Sequence, residues 1–212
     1  MTANNIQMIL GLLVSVIFIS AYIPQLKSLY TTKEIKGVST FFWMLIALST
    51  ATTASNLFEA HAVWYVFVPQ YINSTIAVII LLWVAWKKDS LYGFWISLMI
   101  YSFLISIFAF QLDNTFVQHC ASIFVFIAYL EQIVHILVKK TTEGINPLLY
   151  IGFAIGLGTM AFNIVATGAP VSAAITELTN CFMILIAIVV TYYYKNKKRK
   201  LEMDTMKTEQ EM

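Results

Sequence analysis

The sequence is short of charge, of cysteine and of every common catalytic signature. Charged residues make up 11% of it, less than half of the roughly 25% found in soluble domains. That excludes an ordinary water-soluble enzyme domain, a disordered chain and a nucleic-acid-binding tail, and no nucleic-acid partner is expected. The two cysteines, Cys120 and Cys181, both sit inside apolar runs. They read as small buried hydrophobes, so neither a disulfide framework nor a metal site is expected, and no cofactor. No His-Glu-x-x-His, no Gly-x-Ser-x-Gly and no pair of intramembrane aspartates occurs, so the chain does not read as an enzyme. Nor does any lysine lie inside an apolar run, which removes a retinal protein.

What fills the sequence is hydrophobic residue, 59% of the total. A helix crossing a bilayer needs about 20 mostly apolar residues, and seven stretches meet that length: residues 6–27, 39–58, 63–86, 90–110, 116–138, 147–166 and 171–194. The connections between them are short and polar, as at Lys87-Lys88-Asp89 and residues 111–115. The first run has no basic residue before it and no small-residue cleavage motif after it, so it reads as a retained span. Residues 195–212 are hydrophilic and initially basic, as a solvated tail or a headgroup-binding end would be. Lys27, Lys33, Lys36, Lys87, Lys88, Lys139, Lys140 and the cluster from Lys195 all fall on one side of the spans. Glu59, His61, Asp113 and His119 fall on the other. The positive-inside rule then puts the N-terminus outside and the C-terminus in the cytoplasm of a plasma or bacterial inner membrane.

An offset of 107 residues lays the chain on itself without a gap. Tyr22 meets Tyr129, Gln25 meets Gln132, Lys33 meets Lys140 and Gly37 meets Gly144. Deeper in the spans Asn56 meets Asn163, Gln70 meets Glu177 and Asn73 meets Asn180. Polar residues that recur at membrane depth are costly and therefore informative. The expected fold class is an all-α membrane protein of seven transmembrane helices, two parallel three-helix bundles joined by a linker helix. Residues 1–88 form the first repeat, 89–114 the linker, 115–194 the second repeat and 195–212 a basic cytoplasmic tail. An odd-numbered unit would invert if its copy followed directly, and one extra span keeps the repeats parallel. The linker is also the face on which side-by-side homo-oligomers would form.

The segment Tyr22-Ile-Pro-Gln-Leu, with the later Thr-Thr-Lys-Glu-Ile-Lys-Gly-Val-Ser39, resembles the PQ-loop motif of the PQ-loop/SWEET/SemiSWEET transporters. The second copy, Tyr129-Leu-Glu-Gln with Thr142-Glu-Gly-Ile-Asn, is similar but carries Glu131 where the first carries Pro24. The resemblance covers nearly the whole chain. It implies a helix order 1-3-2 within each half and a central cavity that opens to either side in turn. It implies a small-molecule solute, since the superfamily carries sugars, amino acids and vitamins and also includes receptors. In sugar-carrying relatives an asparagine of the third helix and a tryptophan of the second line the pocket. Asn73 and Asn180 match the asparagines, whereas the tryptophan positions fall near Thr53 and Met160, neither aromatic. Trp43 and Phe162 are the aromatic residues that approach from other turns.

Each polar residue has a functional and a structural reading. Asn73 and Asn180 bracket a neutral solute, or clamp neighbouring helices. Gln70 and Glu177 lie one turn further out on the same faces, as a gate or as outer-leaflet solvation. Asn56 and Asn163, with Thr53 among the hydroxyls of the second span, line the pocket or pack the bundle. Pro24 removes a backbone donor inside the first span and marks a hinge, near which Gln25 and Gln132 hydrogen-bond across the bundles. Glu131 lies about 10 Å from the end of its helix, with His135 one turn on. The two form a proton-responsive pair or a structural hydrogen bond. Gly152, Gly156 and Gly158 read as a close-packing surface.

Overall fold

The computed structural model describes residues 3–110 and 114–210. Asp113 and most of the linker's far connection lie outside the described residues. Six helices run α1 (Ala3–Thr31), α2 (Thr40–Glu59), α3 (Trp64–Phe110), α4 (Asn114–Lys139), α5 (Pro147–Ala166) and α6 (Val171–Gln210). Each contains a segment long and apolar enough to span a bilayer, and α3 holds a second apolar stretch, Leu91–Ile107. The protein is a helical membrane protein. Ile9, Leu13, Val16 and Ile23 of α1 and Leu178, Phe182, Leu185 and Val189 of α6 face outward as its lipid-contacting surface.

Two expected breaks are absent. Lys87-Lys88-Asp89 is helical, and α6 passes through Tyr194 without stopping. Neither stretch contains glycine or proline, and α6 continues in Lys, Arg, Leu, Glu and Met, all strong helix formers. Polarity alone does not end a helix. The continuous α3 nevertheless turns back. The Tyr101 side chain comes close to Ser74 of the same helix, although a straight helix would hold the two about 40 Å apart. An apolar groove of about 390 Å³ lined by Ile79, Leu82, Trp83, Trp86, Leu91 and Phe94 lies between the two legs.

The packing order is a ring. α1 packs on α3 and α5, α2 on α3 and α4, and α6 on α4 and α5. α3 therefore stands between α1 and α2, and α6 between α4 and α5. The helix caps also match at the repeat offset. Ser39 caps α2 by accepting from the Phe42 N–H, and its counterpart Asn146 caps α5 by accepting from the Leu148 N–H. Ala60 N–H donates to Asn56 O and Thr167 N–H to Asn163 O, closing α2 and α5 alike. Left-handed residues follow at equivalent places, His61 with φ 54° and Gly168 with φ 72°.

The most polar span is the most enclosed. In α2, 83% of the apolar window is buried, against 28% in α1, so its Ser49, Thr50, Thr52 and Thr53 face protein and not lipid. Of the three glycines on α5, Gly152 and Gly156 pack against Ala21 and Phe18 of α1. Gly158 has open space beside it and contributes nothing to that contact.

Candidate functional site

Polar contacts between the halves gather in layers along the ring. At the end where the lysines lie, Gln25 of α1 reaches the loop between α4 and α5, and Gln132 of α4 reaches the loop between α1 and α2. Gln25 Nε2 donates to Gly144 O at 2.7 Å, and its Oε1 accepts from the Asn146 N–H at 2.8 Å. Gln132 Nε2 donates to Gly37 O at 2.8 Å, and its Oε1 accepts from the Ser39 N–H at 3.2 Å. Each amide thus satisfies one carbonyl and one N–H of the other half's loop, and both glutamines are buried. The loops also touch directly, Gly37 N–H donating to Glu143 O at 3.1 Å. A Cβ on Gly37 would lie 2.8 Å from the Glu143 nitrogen, and Gly144 has φ +85° with Ile35 pressed against it. Glycine is required in both places. In the exposed part of the first loop, Glu34 pairs with Lys36. The Lys36 hydrogen bond, and then its charge, holds the Glu34 carboxyl below the usual carboxylate range.

One turn deeper lies an aromatic layer. Tyr22 meets Trp43 at 6.3 Å and Phe153 at 4.8 Å between ring centroids, while Tyr129 meets Phe42 at 5.3 Å and Tyr150 at 6.4 Å. Trp43 is buried within it. Phe162, at 64% exposure, lies on the outer face and does not approach the axis. Trp43 and Tyr150 are themselves counterparts at the repeat offset, as are Tyr22 and Tyr129.

Above the rings sits the amide and acid layer. Gln70, Asn73, Glu177 and Asn180 are 0%, 2%, 3% and 4% exposed. Tyr22 OH donates to Asn73 Oδ1 at 2.8 Å, Asn73 Nδ2 makes a long 3.5 Å contact to Gln70 Oε1, and Gln70 Nε2 donates to Glu177 Oε1 at 2.5 Å. Gln70 and Glu177 are the same position in the two halves, so this bond crosses the axis relating them. The chain of donors runs from the first half into the acid of the second. Asn180 Oδ1, by contrast, is buried without a partner.

The remaining candidates separate. Asn56 Nδ2 donates to Gln118 Oε1 at 2.7 Å, and Gln118 Nε2 donates to Thr176 Oγ1 at 2.7 Å and Thr53 Oγ1 at 3.2 Å. Asn56 and Thr53 thus belong to a network among α2, α4 and α6. Asn163, fully buried, has no hydrogen-bond partner on either amide atom. The repeat explains the difference: the counterpart of Gln118 is Gly11, which packs against the Tyr65 backbone and offers no amide. Pro24 lies within an unbroken α1, and its carbonyl accepts from Asn146 Nδ2 at 3.4 Å, beside the glutamine clamp. Glu131 Oε1 and His135 Nδ1 stand 3.9 Å apart, and the other ring nitrogen of His135 meets Lys36 O at 2.8 Å.

Gln118 and Tyr150 carry no role in the sequence reading, and Tyr22 and Tyr129 enter it only as a repeat pair and motif residues. Gln118 was visible as a lone amide within an apolar run, and the tyrosines as an aromatic set that recurs at the repeat offset. Comparison of the chain with known protein families, curated proteins and solved structures gives no match.

Proposed function

We propose that the chain is a carrier that moves a small polar solute by alternating access, of the PQ-loop/SWEET kind its motifs resemble. It comprises two parallel three-helix bundles joined by the back-folded second leg of α3, with the N-terminus outside and the C-terminus cytoplasmic in a plasma or bacterial inner membrane. The observation that carries this reading is the pair of cross-half closures at equivalent positions. Reciprocal glutamine bonds lie at the basic end, and the Gln70 to Glu177 bond lies toward the other. Polar groups sealed between two such closures are what an occluded carrier requires, since each closure can break while the other holds. Asn73 and Asn180 are the solute ligands, Pro24 is the hinge, Gln25, Gln132, Gln70 and Glu177 form the gates, and Asn56, Asn163 and Thr53 shape the walls. Glu131 and His135 are the pair through which a proton would couple.

Sugar is the solute class favoured by the resemblance. An amino acid or other amine-bearing metabolite is the second reading, favoured by the acid Glu177 standing where the first half has neutral Gln70. The test is uptake of labelled sugars, amino acids and nucleosides into proteoliposomes, with and without a pH gradient. Saturable uptake by the native chain, reduced at least tenfold in Asn73→Ala/Asn180→Ala, is the expected result. Folded protein that transports none of them would instead point to a receptor of the same architecture.

A further inference from the structure

The unbroken run of α6 past the bilayer creates a second polar site, remote from the axis. Tyr192, Tyr193 and Tyr194 close the apolar part of the helix, as aromatic residues do at the headgroup level. Lys195, Lys197, Lys198, Arg199 and Lys200 follow within the next turns, held in helical register. On one flank a cleft of about 520 Å³ lies between this helix and the α4–α5 loop, lined by Thr142, Glu143, Ile145, Lys195, Asn196, Lys198 and Arg199. On the other flank, Lys140, Tyr194, Lys197 and Lys198 line a smaller hollow of about 210 Å³.

The lining of the larger cleft is a set of donors. Arg199 presents a planar fork, the lysines present ammonium groups, and Thr142 and Asn196 add a hydroxyl and an amide. Its one acid, Glu143, is held by Lys198 Nζ at 2.9 Å. Three cations against one carboxylate, around a space of small-ligand size, are suited to a phosphate group. Ile145 forms an apolar wall, and the tyrosines set the cleft at the membrane surface. A ligand bound here would therefore have its phosphate among the cations and its apolar part directed to the bilayer. We propose that the cleft binds the phosphate headgroup of an anionic phospholipid.

The position of the cleft gives binding a consequence. Its loop wall is the loop that the first half clamps: Glu143 O accepts from Gly37 N–H, and Gly144 and Asn146 hold Gln25. A headgroup bridging Lys195 and Arg199 to Thr142 fastens α6 to that loop and steadies the clamp. Binding itself does not depend on the carrier reading.

The experiment is thermal unfolding of the full chain in neutral detergent, with added phosphatidylglycerol, phosphatidylcholine or inorganic pyrophosphate. Two variants accompany it, Lys195→Gln/Arg199→Gln and the charge-matched Lys33→Gln/Lys200→Gln, all four positions being exposed. Phosphatidylglycerol at a large excess over its Kd is expected to raise the midpoint of the native chain by roughly 5–10 °C. The control variant keeps that shift, the cleft variant loses at least half of it, and phosphatidylcholine gives none. No shift in the native chain, an equal shift in both variants, or an equal shift with phosphatidylcholine would overturn the proposal. A pyrophosphate shift matching that of the lipid would overturn it too, by making the occupant a soluble anion.

Discussion

His61 shows how the two halves test one another at the scale of a single residue. It holds a left-handed conformation, φ 54°, at the end of α2, where the equivalent residue after α5 is Gly168 with φ 72°. A side chain in that region carries a steric cost that glycine avoids. His61→Gly should therefore stabilise the protein by about 0.5–1 kcal/mol, and Gly168→Ala should destabilise it by about 1 kcal/mol. Thermal midpoints in detergent should move in opposite directions by roughly 2–4 °C. Gly144 is less forgiving, because its positive φ is combined with contact to Ile35 and Val38. Gly144→Ala should lower the midpoint further than Gly168→Ala, since Gly168 has open space around it.

At the scale of the element, α3 decides whether the linker lies in the bilayer. Residues 87–90 remain helical, yet Tyr101 comes close to Ser74, so the helix bends sharply and the two apolar legs lie side by side. A Ser74→Cys/Tyr101→Cys chain, with both native cysteines replaced by alanine, should be joined by a short bis-maleimide and show a mobility shift, a spacer being needed because a phenol reaches much further from its backbone than a thiol does. A straight α3 would give none. The sequence showed both legs, because each is an apolar run of spanning length. It could not show that helix persists between them, since Lys87, Lys88 and Asp89 are polar in either arrangement. Lys87 ties this stretch to α1: its ammonium reaches the carbonyls of Leu29 and Thr32 at the end of that helix, a favourable place for a cation. The same ambiguity hid the extension of α6, where basic residues mark the membrane surface and say nothing about where the helix stops.

For the whole molecule, the legible part was the duplication. The 107-residue offset pairs Gln70 with Glu177 and Gln25 with Gln132, and in the fold the first pair is hydrogen-bonded while each member of the second grips the other's loop. What the offset could not reveal is that the glutamines bind backbone. Gly37 and Gly144 accept through carbonyls that every residue type possesses, so the bonds leave no mark in composition. Nor could it rank its own pairs: Asn56 finds Gln118 whereas Asn163 finds nothing, because a position outside the pair, Gly11 against Gln118, differs. The two clamps lie against each other through the Gly37 to Glu143 bond, so their energies should not add. Gln25→Ala and Gln132→Ala should each cost about 1–3 kcal/mol by stranding buried backbone groups. The double variant should depart from the sum of the singles by at least about 0.5 kcal/mol in a thermal double-mutant cycle.

The reciprocity of those clamps has a kinetic meaning. In the proposed carrier neither loop could leave while the other half still gripped it, so the basic end would open by breaking both glutamine pairs in one event. Water can replace those bonds only after the loops have parted, so the barrier carries their nearly full strength, several kcal/mol of enthalpy per bond, and not the small net value they have at equilibrium. The proposed transport cycle should therefore slow steeply on cooling, whatever the solute. Its activation enthalpy would be set less by a cargo than by two glutamines releasing together.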